Sequence, residues 1–588
     1  MGAGLCDRCA QLLEDFVALV RRASRELARK IEECVKAIAQ CCCLKRRTTA
    51  SRTFYRPLVQ EHERQAAREL LQHLDTGSET PLLSSECLHA LNTLAVSENH
   101  ELQRSASVYL LHLSQQLPTP LPSLFLEPYP PLLRSCDLDV QRMASLSLVN
   151  LLVERNVNKE LVVEMGLLEP VMDMLESGDP TIQCNSCACV AMLATSDSNR
   201  EAIASADGVL HMLVLAKSYD PRVQQNAVGA LLNLTRSERV LGVLCREGGL
   251  PVLVLLLQSA DSEVQFYSCS ALSNIAAVRE YHPRMLGIGD RFLLKSLLCL
   301  ASSPVEKNSC EALRCLRNLS VNGRTQEELM ALGCVSLLAT LLRSPAVGVS
   351  ESAISLLSAL SQHPPNRDTL VEEGLLQTVG ELVRSCRSNT TILSHGAVTI
   401  ANLSVMPTGQ QAVMDSACLS GLLEALPGDG HHRGSLLCVT SCLHRLATLE
   451  TLRPHVSEKM TAEHVSCLVS SASHMENPEL SFNAASIIRE LGLTAAASLR
   501  PHSDAVLGYL LRFLKTQEVR FQQLAIATLS TLRKDGAFAA AVSGSAVQEQ
   551  LLRVQEQTDR MSELLRAVQP PPHPGRAPIS PGHRLIPH

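Results

Sequence analysis

The sequence has no tryptophan, and aromatic residues make up only 3% of its 588 positions. Sandwiches and barrels rely on aromatic and β-branched side chains for their pleated faces. A core this poor in rings predicts aliphatic side chains packed between many helices. No apolar run of about 18 residues occurs without a charge, so no spanning helix is expected. Asp7, Glu14 and Asp15 interrupt any leader core near the N-terminus, which argues against a signal peptide. A net charge of −6 over the whole length supplies no basic stripe, and nucleic acid is not an expected partner. There is no Gly-rich phosphate loop, no H-E-x-x-H and no nucleophile elbow, so the expectation is a protein that is not an enzyme and needs no metal or cofactor.

What is present is aliphatic and repetitive. Apolar residues reach 46%, and 22 cysteines are scattered through apolar patterns, where reduced thiols act as small core residues. Cys184-x-x-Cys187-x-Cys189 has metal-like spacing, but it falls on an apolar helical stretch and is read as packing. One motif recurs as Leu148-Val-Asn-Leu-Leu152, Leu231-Leu-Asn-Leu-Thr235, Leu272-Ser-Asn-Ile-Ala276, Leu316-Arg-Asn-Leu-Ser320 and Ile400-Ala-Asn-Leu-Ser404. With its degenerate copies it forms rungs at His112, Asn150, Met192, Asn233, Asn274, Asn318, Ala359, Asn402, Arg445, Glu490 and Thr531, spaced by 38 to 45 residues. The residue after each rung is Leu, except Ile275.

Further signals share this period. A Val/Ile-Gln pair opens the segment before the rung, as at Val140-Gln141, Ile182-Gln183, Val223-Gln224 and Val264-Gln265. After the rung comes a glycine (Gly166, Gly208, Gly249, Gly333 or Gly374), which fits a helix end needing positive φ. An apolar helix follows, with Pro170 or Pro251 placed where a first turn tolerates proline. Each unit is two or three helices that cannot bury their apolar face alone, so neighbours must stack into an α-solenoid.

A period near 42 with an Asn-Leu rung and a Gly turn resembles the armadillo repeat more than the HEAT repeat, over about residues 85–545. The expected fold is all-α: a right-handed armadillo solenoid of about eleven repeats, preceded by an N-terminal amphipathic helix. The resemblance implies that the last helix of each unit lines a concave groove. There the amides of Asn150, Asn233, Asn274, Asn318 and Asn402 would meet an extended partner peptide, since each offers a donor and an acceptor. The alternative role for these asparagines is to brace neighbouring helices. Importin-type grooves need tryptophans, which are lacking here. Catenin-type grooves carry basic runs, of which Arg317 and Arg489 are the candidates; Leu232, Ser273, Ser358 and Ala401 occupy equivalent positions.

The N-terminus reads Met1-Gly2-Ala-Gly-Leu-Cys6-Asp-Arg-Cys9. Gly2 meets the first requirement for myristoylation, although Cys6 stands where Ser or Thr is preferred. A single myristoyl chain binds membranes marginally. Second signals are offered by palmitoylation of Cys6, Cys9, Cys41, Cys42 and Cys43, and by Lys45-Arg46-Arg47 facing an anionic leaflet. Between them Leu13, Phe16, Val20, Ala23, Leu27, Cys34 and Ile38 recur at helical spacing, which suits membrane contact or self-association. Cys6-x-x-Cys9 lacks a second ligand pair for zinc. An acylated tip followed by a Trp-free armadillo array resembles the fungal vacuolar protein 8 family. Stretches such as Leu102-Gln-Arg-Ser-Ala106, Ile182-Gln-Cys-Asn185 and Leu511-Arg-Phe-Leu514 carry that likeness. It implies a tethered adaptor on the cytoplasmic face of a vacuolar or endolysosomal membrane, with a cytosolic pool, serving organelle contact, autophagy or positioning. The competing expectation is a catenin-like cytoskeletal or junctional scaffold without lipid.

The expected organisation is a lipid-anchor segment at 1–60, the solenoid at 61–545, a C-terminal helix at 546–567 and a Pro-rich tail at 568–588. Within the tail, Pro571-Pro-His-Pro574-Gly-Arg576 has the form of an SH3 ligand. His431-His432 sits in a Gly-rich inter-repeat loop.

Overall fold

The computed structural model describes residues 59–75, 85–115, 121–426, 433–554 and 558–568. The N-terminal lipidation motif, its basic run and amphipathic helix, His431-His432 and the Pro-rich tail lie outside the described residues. The chain divides into two compact units between Leu300 and Ala301. Among the described residues all regular structure is helical, and no helix is long and apolar enough to cross a membrane.

Eleven long helices carry the rungs. In the first unit they are α1 (His100–Leu113), α2 (Leu138–Val153), α3 (Pro180–Leu193), α4 (Pro221–Leu234) and α5 (Ser262–Ala276). In the second they are α6 (Glu306–Leu319), α7 (Val347–Gln362), α8 (Thr390–Leu403), α9 (Arg433–Thr448), α10 (Pro478–Leu491) and α11 (Val519–Leu532). Within each unit every long helix packs on the next, and shorter helices fill the intervals. Each rung falls in the final turn or so of its helix. The Leu or Ile that follows is buried every time, from Leu113 and Leu151 through Ile275 to Leu491 and Leu532. That invariant apolar position fixes the rotation of each helix and leaves the rung, one residue earlier, at the edge of the buried face.

The helix starts follow from side-chain chemistry. Asp137, Asp179, Asp220 and Asp261 are N-caps, accepting backbone N–H groups of the first turn at 2.7–2.9 Å. This satisfies donors that a helix end leaves unpaired. The Val/Ile-Gln pair has a structural job as well. Val140, Ile182, Val223 and Val264 are fully buried. Gln141, Gln183, Gln224 and Gln265 reach back with Nε2 to the carbonyls of Leu133, Leu175, Ala216 and Leu257 at 3.1–3.3 Å. Each glutamine thus ties its long helix to the C-terminal end of the preceding short one.

The glycine turns differ in part from expectation. Gly166, Gly333 and Gly374 do have positive φ, but Gly208 and Gly249 do not; there the left-handed residue is the one before, Asp207 or Gly248. Gly208 is required by space instead. A Cβ on it would lie 2.5 Å from Ile203 Cγ2 and 2.7 Å from the Ile203 carbonyl oxygen.

The region 546–567 holds two helices, Ala546–Arg553 and Asp559–Val568, where one was expected. Met561, Leu565 and Val568 are buried, and the second of these helices packs on α11. One cluster of large rings gathers near α10 and α11. Phe513 and Phe521 stand 4.7 Å apart edge to face, and Phe482 meets Phe521 at 5.4 Å.

Candidate functional site

The rung asparagines occupy matching places at the ends of the long helices, all half-buried. Asn150, Asn233 and Asn274 belong to the first unit; Asn318 and Asn402, with Arg317 and Arg489, belong to the second. Each unit therefore brings together its own part of the expected set.

The asparagine donors point to the neighbouring repeat. Asn150 Nδ2 donates to Ser114 Oγ at 3.2 Å, Asn274 Nδ2 to Thr235 Oγ1 at 3.0 Å and Asn402 Nδ2 to Ser361 Oγ at 3.1 Å. Each of these hydroxyls lies two residues beyond the preceding rung and donates onward to a carbonyl of its own helix: Leu111, Leu232 or Ser358, at 2.6–2.8 Å. Where Ala194 replaces the hydroxyl residue, Asn233 Nδ2 goes to the Ala191 carbonyl at 2.8 Å. Four rungs are thus braces, whose amide N–H groups hold one repeat against the next. Their Oδ1 atoms accept no hydrogen bond among the described residues, so each keeps an acceptor for an incoming N–H. The Asn-Leu-Ser/Thr pattern is therefore both halves of a joint, the Asn gripping backward and the hydroxyl receiving from ahead.

The arginines at or beside the rungs lie in the second unit. Arg317 is exposed in the last turn of α6, and its side chain has no hydrogen bond or ion pair among the described residues. Burial first, and then the Arg317 charge, hold His395 of α8 below the usual imidazole range. Arg489 is differently placed: it lies 3.5 Å from Glu490, which also faces Arg453 at 3.4 Å. Two guanidinium groups share that carboxylate, so Arg489 is a weaker anion anchor than its sequence position suggests.

A cation at a rung itself was not singled out as a binding residue. Arg445 of α9 is exposed, with no ion pair among the described residues, and it borders a cavity of about 370 Å³ between α8, α9 and α10. Ala397, Ala401, Leu437 and Cys442 supply apolar wall, and Ser441, Asn483 and Glu479 supply polar groups, the Glu479 carboxylate being paired with Arg520 at 2.7 Å. The signal was the rung register: a charged residue where neighbouring repeats have an amide. This cleft can seat an apolar side chain beside a carboxylate or phosphate.

The cysteine run of α3 is part of the core. Cys187 and Cys189 are buried, and burial pushes both thiols well above their ordinary pKa. Cys184 is half-buried and accepts from Asn226 Nδ2 at 3.3 Å.

Comparison with known proteins supports this architecture. A family model described as the plant U-box protein ARM repeat region matches residues 190–386, and one for the armadillo/β-catenin-like repeat matches 155–195. The chain is 42% identical over 112 residues to vacuolar protein 8 of Gibberella zeae, covering 19% of this chain and 20% of that one. It is 41% identical over 126 residues to vacuolar protein 8 of Komagataella pastoris, covering 21% and 22%. The match thus spans about a fifth of the length of these curated relatives. Among solved structures, an engineered protein aligns with TM-score 0.60 and 24% identity over 69% of this chain and 98% of its own. A chain from a study of the interaction between cadherin and β-catenin aligns with TM-score 0.57 and 16% identity, over 81% and 99%. The chain thus has the fold of an armadillo-repeat solenoid, matches armadillo family models over residues 155–386, and is similar to vacuolar protein 8 over about a fifth of its length.

Proposed function

We propose that this chain is a non-enzymatic adaptor, held by its N-terminus on the cytoplasmic face of a vacuolar or lysosomal membrane, with a cytosolic pool. It would bind extended partner segments along the ends of its long helices, in organelle contact, autophagy or positioning. The observation that carries the reading is the row of rungs on a solenoid similar in sequence to vacuolar protein 8. The Oδ1 acceptors of Asn150, Asn233, Asn274 and Asn402 suit a peptide backbone, while Arg317 and Arg445 suit acidic side chains. Tethering is supported by Gly2, Cys6, Cys9, Cys41, Cys42 and Cys43 together with Lys45, Arg46 and Arg47, since two or more weak signals are needed for stable attachment.

The test is fractionation of wild type, Gly2→Ala, and a variant with these five cysteines changed to Ser. Wild type should pellet with membranes and both variants should become soluble. If all three partition alike, the lipid tether fails and a catenin-like scaffold is left, self-associating through residues 8–40. Deleting those residues would then change the oligomeric state.

A further inference from the structure

Three successive second helices of the first unit share an unusual outer face. They are Gly208–Leu215, Gly249–Leu256 and Phe292–Ala301. Large apolar side chains stand in solvent along them: Leu210 is 47% exposed, Val214 57%, Leu255 64% and Phe292 40%. Tyr219, just beyond the first helix, is fully exposed. Single exposed apolar residues are ordinary, whereas a set repeated across adjacent structural units marks an interaction surface.

The face ends where these helices end. In the preceding repeat, the Leu168–Met174 helix exposes Glu169 and Asp173 at the corresponding places. The equivalent helix of the second unit, Cys334–Leu341, exposes Ser336 and Thr340. Charge on the face is of one sign. None of the three helices contains a carboxylate, while Lys295 is exposed on the third, and Lys217 and Arg291 are exposed at helix ends. The exposed carboxylates Asp207, Glu247 and Asp290 stand at its N-terminal margin. Nearby Glu176 is engaged with His211 at 3.0 Å.

We infer that this face is a second membrane contact, docking on an anionic lipid surface with its aliphatic and aromatic side chains in the headgroup boundary and its lysines on phosphate. Apolar residues flanked by cations bind such interfaces through both terms. A second copy of the chain fits less well. A two-fold contact places the same patch against itself, which brings Lys295 and its neighbours into a like-charged, desolvated seam. The inference rests in part on the tethering proposed above, because a tethered array must turn one face to the bilayer, but its test needs no acyl chain.

The experiment uses the full-length chain carrying Gly2→Ala, made without acylation and with Lys45, Arg46 and Arg47 changed to Gln. It is sedimented with vesicles of phosphatidylcholine alone or with phosphatidylserine added. Binding should require phosphatidylserine. It should weaken on the order of tenfold in Val214→Glu/Leu255→Glu, and again in Lys217→Glu/Lys295→Glu, with the helical circular dichroism unchanged. Vesicle binding that is absent, or equal in all variants, overturns the inference. So does a face variant that alters only the sedimentation coefficient of the free protein, which would assign the face to self-association. If the acylated chain pellets normally while the face variants bind as wild type, the tether stands and this contact falls. The opposite pattern would remove the tether and keep the contact.

Discussion

The joint between Asn274 and Thr235 allows the bracing role to be measured. Asn274 Nδ2 donates to Thr235 Oγ1 at 3.0 Å, and that hydroxyl donates to the Leu232 carbonyl at 2.6 Å. Thr235 is 3% exposed, so water cannot readily replace a lost partner. Asn274→Ala removes one neutral hydrogen bond from a half-buried site and should cost about 1 kcal/mol. Thr235→Val keeps the shape, removes both bonds of the hydroxyl and leaves the amide donor unpaired, for roughly 1–3 kcal/mol. The double variant should be less destabilised than the sum, by a coupling of about 1 kcal/mol. Urea unfolding of the four proteins, followed by circular dichroism, completes the cycle. Asn150→Ala combined with Thr235→Val is the control, because those sites do not touch and should add to within about 0.5 kcal/mol. If Asn274→Ala and Thr235→Val also add to within about 0.3 kcal/mol, the amide is not a brace and the reasoning fails.

Other outcomes are as definite. Gly208→Ala should destabilise by about 1–3 kcal/mol, through contact with the Ile203 backbone. Gly178→Ala, where a Cβ meets nothing within 4 Å, should stay within about 0.5 kcal/mol of wild type; equal effects would refute the steric account. Hydrogen bonds from Arg142, Arg222 and Arg500 are the leading cause holding Asp179, Asp220 and Asp535 below the ordinary carboxylate pKa. Their stabilisation is complete above the unfolded value near about 4 and is lost as pH falls through the lower folded values. Asp179→Asn should therefore flatten the acid limb of a stability–pH curve, whereas parallel curves would contradict it. Brief alkylation of the native protein should label Cys136 and Cys299, which are exposed, and leave Cys187, Cys189, Cys315 and Cys442 unmodified until urea is added; peptide mass mapping reads the result. In binding assays with an acidic peptide ligand, Arg445→Glu should weaken affinity more than Arg489→Glu, because Glu490 already offsets Arg489.

The array was legible in the sequence because its strongest constraint is local. The buried Leu or Ile after each rung recurs with the period of a helical solenoid unit, and every rung found in this way falls at the end of a long helix. The destination of the amide hydrogens was not legible. Nothing in Asn-Leu-Ser/Thr says whether the amide faces a ligand or the previous hydroxyl; that depends on the rise between neighbouring helices. The turn glycines were half legible for a similar reason. Gly166 is needed for its backbone angle and Gly208 for the room it leaves, and one letter serves both needs. Arg445 was visible as a rung, but its meaning depended on the cleft formed with α8 and α10.

Because each of the four braces runs from one repeat to the repeat before it, three to a hydroxyl and one to a carbonyl, the wiring has a direction and a reach of a single unit. Excising one whole repeat would bring a later asparagine to an earlier hydroxyl of the same kind, or to a bare carbonyl such as that of Ala191, and the joint could close again. Insertion of a duplicated unit meets the same standard fitting at both ends. Such a chain can change length by splicing or recombination in whole-unit steps without redesigning its interior, while a cut within a unit would strand an amide on one side and a hydroxyl on the other.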